Sequence, residues 1–274
     1  MASIVVLTGE HDTFHKRSFM LQQLFPFWIE AGHFVVVHVG PAEPPPADVA
    51  ILHVDLTVVP PEYKEWLDRY PVVVNGASLA LGKRALSRHL VTRGDGYSGP
   101  VVVKTDANAG GLPELHWVQQ ENMRGRRVEA APRYLKGPYP IFDSPDRVPP
   151  EVWDDPQLVV ERFVPERDRD GYALRVYIFF GDSERCTRVV GPHPIVKGVG
   201  ATSRVAIPVP EEARAWRRSA GLDYGKIDFV VHEGTPVLLD ANRTPTMPSG
   251  AISAAVAAGL QDLAGGIESF CRRG

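Results

Sequence analysis

The sequence predicts an α/β region followed by an α+β region, and three observations lead to this fold class. Short apolar runs alternate with segments of helical spacing over residues 1–75, which is typical of an open, parallel sheet. From residue 100 onward, strand patterns follow one another with few helices between them, which indicates antiparallel pairing. The 274 residues are enough for two or three lobes that share cores.

Composition and charge narrow the class of protein. Hydrophobic residues make up 44% of the chain and charged residues 23%, as in an ordinary globular protein. The formal net charge of −3 and the short charge runs predict no nucleic-acid partner. The apolar runs are too short to predict a membrane span. The two cysteines form no metal-binding spacing, and we expect a cytoplasmic location.

The first region is expected to form an N-terminal lobe over residues 1–75. Apolar runs predict strands at residues 3–8, 33–39, 48–54 and 71–74. Helical spacing predicts a helix over 16–31, which Pro26 kinks or shortens. Two prolines open residues 60–69, where helix formers predict a second helix.

The second region, residues 76–274, is expected to hold a small lobe at about 95–165 and a C-terminal lobe at about 166–274. Strands are predicted at residues 100–104, 157–164, 172–180, 185–190, 226–232 and 236–240. Helices are predicted at residues 77–92, 210–220 and 250–264. The Pro-rich and Tyr-rich residues 132–150 predict a loop.

Three oxygen-bearing side chains in two neighbouring strands give the strongest sign of chemistry. Asp228 lies inside one strand, and Asp240 and Asn242 alternate at the end of the next. A hairpin can place all three on one face, where burial without partners is costly. A hard cation such as Mg²⁺ removes that cost, and it takes carboxylate and phosphate oxygens as ligands. The alternative interpretation is that the two aspartates cap turns at strand ends.

Two further patterns are typical of phosphate contacts. Lys104 ends an apolar strand, and Gly110 and Gly111 follow it in a loop whose N–H groups can surround phosphate oxygens. An ordinary surface turn with an extended lysine is the alternative. Arg175 lies in an apolar strand, where its guanidinium needs either a phosphate or a carboxylate as partner.

A third pattern is the strand exit at residues 161–166, which has the sequence Glu-Arg-Phe-Val-Pro-Glu. Its backbone can offer donors and acceptors to a purine edge, and Glu166 can accept hydrogen bonds from ribose hydroxyls. The alternative is a strand exit without a ligand.

Several polar residues follow the first and third strands, where open α/β lobes place ligand-binding loops. They are His11, His15, His53 and Asp55. A solvent-exposed helix start is the alternative for the first two, and a contact with substrate is expected more for the last two.

Taken in order, the strand–lysine–glycine loop, Glu-x-Phe-Val, the arginine in a strand, Lys-Ile-Asp-Phe and Leu-Leu-Asp-Ala-Asn resemble the ATP-grasp superfamily. The chain is similar above all to short members that resemble glutathione synthetase and the ribosomal-protein glutamate ligases. The resemblance covers roughly residues 71–272. It implies an ATP-grasp fold, in which an N-terminal open parallel α/β lobe precedes two α+β lobes that clasp ATP.

The resemblance also implies which residues hold Mg-ATP. Those implied to contact the nucleotide are Lys83, Lys104, Gly110, Gly111, Glu161, Phe163, Val164 and Glu166, with the two glycines as a flap over the phosphates. Those implied to hold one or two Mg²⁺ ions are Asp228, Asp240 and Asn242. The family usually has a glutamate where this chain has Asp240, whose side chain is one methylene shorter.

The activity implied is that of an ATP-dependent carboxylate–amine ligase. ATP would phosphorylate a small carboxylate, and an amine would attack the acyl phosphate, with Lys104 and Arg175 neutralising charge. Arg204 is the candidate for binding the substrate carboxylate, and an exposed loop arginine is the alternative. The expected substrates are amino acids or short peptides, and a homodimer is a further expectation. A small-molecule kinase and a nucleotide-binding module without turnover are the alternative functions.

Overall fold

The computed structural model describes residues 1–12, 14, 18–128, 131–169, 171–198, 200–247 and 252–271. Within these ranges the strands form three sheets. The helices described there include none that is both long and apolar enough to cross a bilayer.

The first sheet has four parallel strands in the order β2-β1-β3-β4. They are β1 (Ser3–Thr8), β2 (Phe34–Val39), β3 (Val49–Leu52) and β4 (Val73–Val74). Two helices cover opposite faces: Trp28 of α1 (Phe25–Glu30) packs with Ile4, and Tyr63 of α2 (Pro61–Leu67) packs with Val5. Successive strand residues point to opposite faces, so an uninterrupted apolar run is required for a strand covered on both sides.

The helix predicted at residues 16–31 is shorter in the structure. A 3₁₀ turn over Met20–Gln23 precedes α1, and Pro26 lies in the first turn of α1. That position tolerates proline, because the missing N–H has no partner inside the helix there. Residues 15–17 lie outside the described part of the chain.

The helix predicted at residues 77–92 is wrong, because only α3 (Lys83–Leu86) forms there. The preceding residues are extended and pair with the loop after β3. Val59 N–H donates to Leu79 O at 2.9 Å, and Leu81 N–H donates to Thr57 O at 3.0 Å. Non-local pairing therefore overrides the local helical pattern.

The second sheet is small and antiparallel, in the order β6-β5-β7. Its strands are β5 (Val101–Thr105), β6 (Ile141–Phe142) and β7 (Leu158–Arg162). Along the chain, helix α4 (Leu112–Met123) lies between β5 and β6, and helix α5 (Pro150–Trp153) lies between β6 and β7. The sequence analysis did not predict α4. This helix docks on the first lobe, where Glu114 accepts a hydrogen bond from Thr57 N–H at 2.8 Å.

The third sheet is antiparallel, in the order β11-β10-β9-β12-β13, with β8 paired to β9. Its strands are β8 (Glu166–Asp168), β9 (Gly171–Phe180), β10 (Ser183–Gly191), β11 (Ser203–Ile207), β12 (Tyr224–His232) and β13 (Thr235–Asn242). The helices are α6 (Glu211–Ser219), α7 (Ala254–Ala264) and α8 (Glu268–Cys271). The short strands β6, β8 and β11 were not predicted. Residues 250 and 251 of the predicted last helix lie outside the described ranges.

The two faces of the third sheet have different partners. Tyr177, Phe179 and Phe229 form a core with α6. On the other face, Phe180 joins the core of the first lobe together with α7 and α8. The rest of that second face, nearer the small sheet, borders a cavity.

Candidate functional site

A cavity of about 160 Å³ lies between the small sheet and the third sheet. Val102 and Lys104 of β5 line one side of it, and Asp228 and Asp240 line the other. The cavity has an apolar end, which is lined by Phe163, Val164, Pro165, Leu174, Ile195 and Val196. Its other end is charged, so it can hold a ligand with an apolar planar part and an anionic part.

The sheet register explains why the two aspartates face this cavity. Asp228 lies directly opposite Asp240 on β13 and opposite Val176 on β9. A β-bulge follows, because Phe229 pairs with Leu238 and leaves Leu239 extra. Bulges redirect side chains, and here both Leu239 and Asp240 line the cavity.

Two like charges in directly opposite positions destabilise a sheet unless a cation lies between them or nearby. The Oδ1 atoms of Asp228 and Asp240 are both buried; neither accepts a hydrogen bond among the described residues, and that of Asp240 has an ion pair of 3.4 Å with Lys83 Nζ. Burial raises the pKa of Asp228, and the charge of Asp240 adds to this effect. Two buried carboxylates in opposed positions fit the ligand preference of a hard divalent cation.

Three lysines surround this carboxylate pair. Lys226 Nζ lies 2.6 Å from Asp228 Oδ2, and Lys83 Nζ lies 3.4 Å from Asp240 Oδ1. Lys104 Nζ lies 2.7 Å from Glu161 and 3.4 Å from the carbonyl oxygen of Leu239. Burial opposes the charged form of Lys226, but the neighbouring Asp228 outweighs it and the pKa of Lys226 is raised. The charged end of the cavity therefore offers cations to an anionic ligand.

Asn242, the third predicted metal ligand, is held differently. It lies opposite Lys226 in the register, on the same face as the aspartates. Its Oδ1, however, accepts a hydrogen bond from Thr244 N–H at 2.7 Å, and the Thr244 hydroxyl, which donates its proton to Asp55, lies 3.1 Å from it. Of the three predicted ligands, Asp228 and Asp240 are the two that line the cavity.

The structure contradicts the predicted phosphate contact of Arg175. This residue lies opposite Phe229, on the face that packs against α6, away from Asp228. Its guanidinium forms two hydrogen bonds of 3.0 Å with Glu166. The alternative of a carboxylate partner is the one found.

The predicted ribose contact of Glu166 is contradicted for the same reason. Its two oxygens accept hydrogen bonds from Arg175, from Arg188 and, at 2.7 Å, from Val231 N–H. Burial alone would raise the pKa of Glu166, but the arginines and the backbone N–H lower it. This carboxylate is a structural anion on the far side of the sheet.

Gly110 and Gly111 are not among the residues that line the cavity, and their role as a phosphate-covering flap stays a prediction. Both are buried with positive φ angles of 68° and 83°. A Cβ at Gly111 would lie 2.2 Å from the carbonyl oxygen of Arg133. The glycines are therefore required where this loop packs against residues 133–135.

The remaining predicted residues are placed as follows. Phe163 and Val164 line the apolar end of the cavity, whereas Glu161 is buried and directs its carboxylate to Lys104. Arg204 is exposed and lies opposite Val189, which is opposite Leu174, so it stands on the cavity face. Its role stays a prediction.

The sequence analysis missed three contributors to the site. Lys226 lies two residues before Asp228, and period-2 alternation could have placed it on the same face. The other two contributors, Tyr139 and residues 194–196, line the cavity. They come from loops, and no local pattern marks loop residues as neighbours of a distant sheet.

The polar residues after the first and third strands do not line this cavity. His53 is fully buried against Phe14 and Phe19, and burial lowers its pKa to about 3. Asp55 accepts a hydrogen bond from Thr244 Oγ1 at 2.5 Å. His11 Nε2 lies 3.0 Å from Glu121 Oε1, and His15 lies outside the described residues.

Comparison with known proteins identifies the fold. No family model and no curated protein matches the chain. Its structure is similar to D-alanine–D-alanine ligase from Bacillus anthracis, with a TM-score of 0.51, 14% identity, and coverage of 98% of this chain and 97% of the other. It is also similar to a RimK domain ATP-grasp protein from Sphaerobacter thermophilus, with a TM-score of 0.52, 16% identity, and coverage of 97% and 98%.

A third similar structure is the ATP-grasp ligase PsnB complexed with a minimal precursor, with a TM-score of 0.50, 14% identity, and coverage of 100% and 99%. The chain therefore has the ATP-grasp fold, with a parallel sheet followed by antiparallel sheets. The comparisons therefore confirm the predicted fold class and, as far as the fold is concerned, the predicted resemblance to ATP-grasp proteins.

Proposed function

We propose that this protein is an ATP-dependent ligase that joins a small carboxylate to an amine through an acyl phosphate. The observation that carries the proposal is the opposed pair Asp228 and Asp240, which lines one end of the cavity together with Lys83 and Lys104 and has Lys226 beside Asp228. Two of the similar structures are named as ligases, and a related one is described as complexed with ATP. Both facts support the proposal.

The residues present fit Mg-ATP. Phe163, Val164 and Leu174 supply apolar contacts for the adenine, and the strand exit supplies backbone donors and acceptors. Asp228 and Asp240 would hold Mg²⁺, which when bound neutralises the charge on phosphate oxygens. Lys83 and Lys104 would contact phosphates, since their Nζ atoms lie at the same end of the cavity.

The reaction needs positioning and charge neutralisation more than a side-chain nucleophile. A substrate carboxylate oxygen attacks the γ-phosphorus, and the bond to the β,γ-bridging oxygen of ATP breaks. The amine then attacks the acyl carbon, phosphate leaves and the nitrogen loses a proton. Lys104 and Lys226 stabilise negative charge near the carboxylates, and Arg204 binds the substrate carboxylate from the outer part of the same sheet face.

An ADP-release screen tests the proposed function. Amino acids, hydroxy acids and short peptides are supplied with Mg-ATP, singly and in pairs, and the products are identified by mass. A ligase releases ADP with a carboxylate and an amine together and yields an amide. A stable phosphorylated product from one substrate would instead indicate a kinase, and no ADP release with any pair would contradict both.

Asp228→Asn and Asp240→Asn test the metal site. Each is expected to lower turnover roughly 10²-fold or more, because each removes a charge at the proposed metal. Each is also expected to reduce the thermal stabilisation by Mg-ADP, which for wild type is about 2 kcal/mol at tens of dissociation constants of ligand. The matched control is Asp182→Asn, an exposed aspartate in the turn after β9. Unchanged binding and turnover in the first two variants would remove the metal assignment.

A further inference from the structure

Each carboxylate of the pair Asp228 and Asp240 has a lysine beside it. Lys226 Nζ lies 2.6 Å from Asp228 Oδ2, and Lys83 Nζ lies 3.4 Å from Asp240 Oδ1. Lys83 is buried and also donates a hydrogen bond of 2.9 Å to the carbonyl oxygen of Ala107. The chain itself therefore places two ammonium groups against the two negative charges, before any metal ion or phosphate binds.

The sheet holds Lys226 in this position. The residue lies in β12, between β9 and β13, opposite Ile178 on one side and Asn242 on the other. Because side chains two residues apart in a strand share a face, its stem leaves the sheet beside Asp228. Its Nζ atom donates a hydrogen bond to Asp228 Oδ2, and its side chain is 29% exposed. The ammonium group therefore occupies the space next to that oxygen.

Two divalent ions would need more carboxylate oxygens than the cavity offers. Ions in two-metal sites lie about 3.5–4 Å apart, and each usually takes one or two carboxylates besides phosphate oxygens. Among the described residues that line the cavity, the carboxylates are Asp228 and Asp240. The neighbouring Glu161 is bound to Lys104 at 2.7 Å. A second ion would therefore have to share this one pair with the first.

The lysines oppose such sharing. An ion at Asp228 Oδ2 must either displace Lys226 or lie a few ångströms from its positive charge. An ion at Asp240 Oδ1 meets Lys83 in the same way. Like charges this close repel strongly where water is largely excluded. One ion shared by the two aspartates, by contrast, leaves both ammonium groups in place.

We propose that this site takes a single divalent cation together with the nucleotide, and that Lys226 takes the place of a second ion. Asp228 and Asp240 share the one ion. Lys226 supplies from the chain the positive charge that a second metal ion would otherwise bring to the phosphates. The presence of the nucleotide rests on the proposed function, whereas the number of ions is a separate claim.

Equilibrium dialysis measures the number of ions without relying on turnover. The protein is dialysed against Mn²⁺ and the non-hydrolysable analogue β,γ-methylene-ATP, and both are measured on the two sides of the membrane. The free complex of Mn²⁺ and nucleotide is equal on both sides, so the excess on the protein side gives the bound amounts. The double variant Asp228→Asn/Asp240→Asn gives the background of Mn²⁺ bound elsewhere on the chain. We expect wild type to bind one Mn²⁺ per bound nucleotide at saturation.

Substitutions of Lys226 test its part in this result. Lys226→Glu puts a carboxylate next to Asp228, and we expect the ratio to rise to two Mn²⁺ per nucleotide, because repulsion is removed and a ligand is added. Lys226→Met removes the charge alone, so a second ion should bind, but more weakly than in Lys226→Glu. Lys64→Glu, at an exposed position on α2 outside the cavity, is the matched control and should keep the ratio at one.

The possible outcomes separate the inference from the proposed function. Two Mn²⁺ ions per nucleotide in wild type would overturn the inference and leave the proposed function standing. A ratio of one in both Lys226 variants would also overturn it, because the lysine would then not be what excludes a second ion. Lys226→Met decides this point if Lys226→Glu fails to bind nucleotide. No bound nucleotide in wild type would contradict the proposed function, and the inference with it.

Discussion

Lys226 lies beside a proposed metal ligand, although the sequence analysis gave this lysine no role. Its Nζ atom lies 2.6 Å from Asp228, and it shares a sheet face with Asp240. Lys226→Met removes a cation that can stabilise charge during phosphoryl and acyl transfer. We expect turnover to fall roughly 10²-fold, on the scale of single electrostatic contacts in active sites.

Nucleotide binding separates this role from a structural one. Mg-ADP should still stabilise Lys226→Met in a thermal shift, because both carboxylates of the proposed metal site remain. Lys226→Arg keeps the charge and should recover part of the turnover. If Lys226→Met instead abolishes the stabilisation by Mg-ADP, the lysine supports binding and the proposed catalytic contribution is wrong.

His53 gives a prediction about pH. It is fully buried, and neither ring nitrogen has a hydrogen-bond partner among the described residues. Burial lowers its pKa from 6.5 to about 3 in the folded state. Between pH 6.5 and about pH 3, His53 binds a proton in the unfolded chain but not in the folded protein. The contribution of the neutral, buried His53 to the free energy of unfolding is therefore fully present above pH 6.5 and is lost as the pH falls toward 3.

The comparison of wild type with His53→Phe isolates this effect. The free energy of unfolding of wild type should include a component that falls by about 1.4 kcal/mol per pH unit within this window. Asp12 acts in the opposite direction, because burial, with a further contribution from Asp55, raises its pKa to about 7. Urea unfolding at several pH values, taken as the difference between the two proteins, removes that shared component. A difference independent of pH would contradict the prediction.

At the scale of elements, a strand could be predicted from the sequence where burial on both faces of the sheet requires all of its residues to be apolar. Strand β1 lies in a sheet covered on both faces, so its apolar run is visible in the sequence. The helix predicted at residues 77–92 failed because pairing with residues 57–59 is non-local. The same limit applied to the site. Alternation placed Asp240 and Asn242 on one side and a hairpin brought Asp228 beside them, but only the register shows that Arg175 points to the other face.

The loop after β5 gives a prediction that separates packing from movement. Gly111→Ala places a Cβ against the carbonyl oxygen of Arg133 at a φ of 83°. We expect a loss of roughly 2 kcal/mol or more in the free energy of unfolding, from strain and displaced backbone. Gly125→Ala is the control, because its φ of 77° is similar and nothing lies within 4 Å of the added atom.

Gly125→Ala should cost about 1 kcal/mol, the conformational penalty alone. Both values are read from urea midpoints at constant m. Equal losses in the two variants would show that Gly111 is not a packing position. Unchanged stability with lower turnover in Gly111→Ala would restore the interpretation of this loop as a moving flap.

At the scale of the molecule, the first and third sheets share a core, whereas the small sheet has its own. Trp28 Nε1–H donates to Ala264 O at 2.9 Å, and Asn75 Oδ1 accepts from Asp223 and Tyr224 N–H groups. The cavity lined by Asp228 and Asp240 lies between the small sheet and this joint body. Relative movement of the small sheet would therefore change the cavity without breaking the larger core.

Arg243 is the main polar link between the first lobe and the end of β13. Its guanidinium is buried and donates hydrogen bonds to the carbonyl oxygens of Val54, Leu56 and Ser78. Burial lowers its pKa to about 10, so the side chain remains charged at neutral pH. This link holds the strand that carries Asp240 at a fixed position relative to the first lobe.

Arg243→Met removes the donors and leaves three buried carbonyl oxygens with fewer partners. We expect a loss of about 3–5 kcal/mol in the free energy of unfolding, as for other broken buried charge networks. Arg218→Met, at a side chain that is 64% exposed and pairs with Glu211, should cost less than about 1 kcal/mol. The urea midpoints of the two variants measure this difference in the free energy of unfolding. Because Arg243 directly follows Asn242, its loss should also weaken Mg-ADP stabilisation; equal midpoints for both variants would show that the cores alone hold the lobes together.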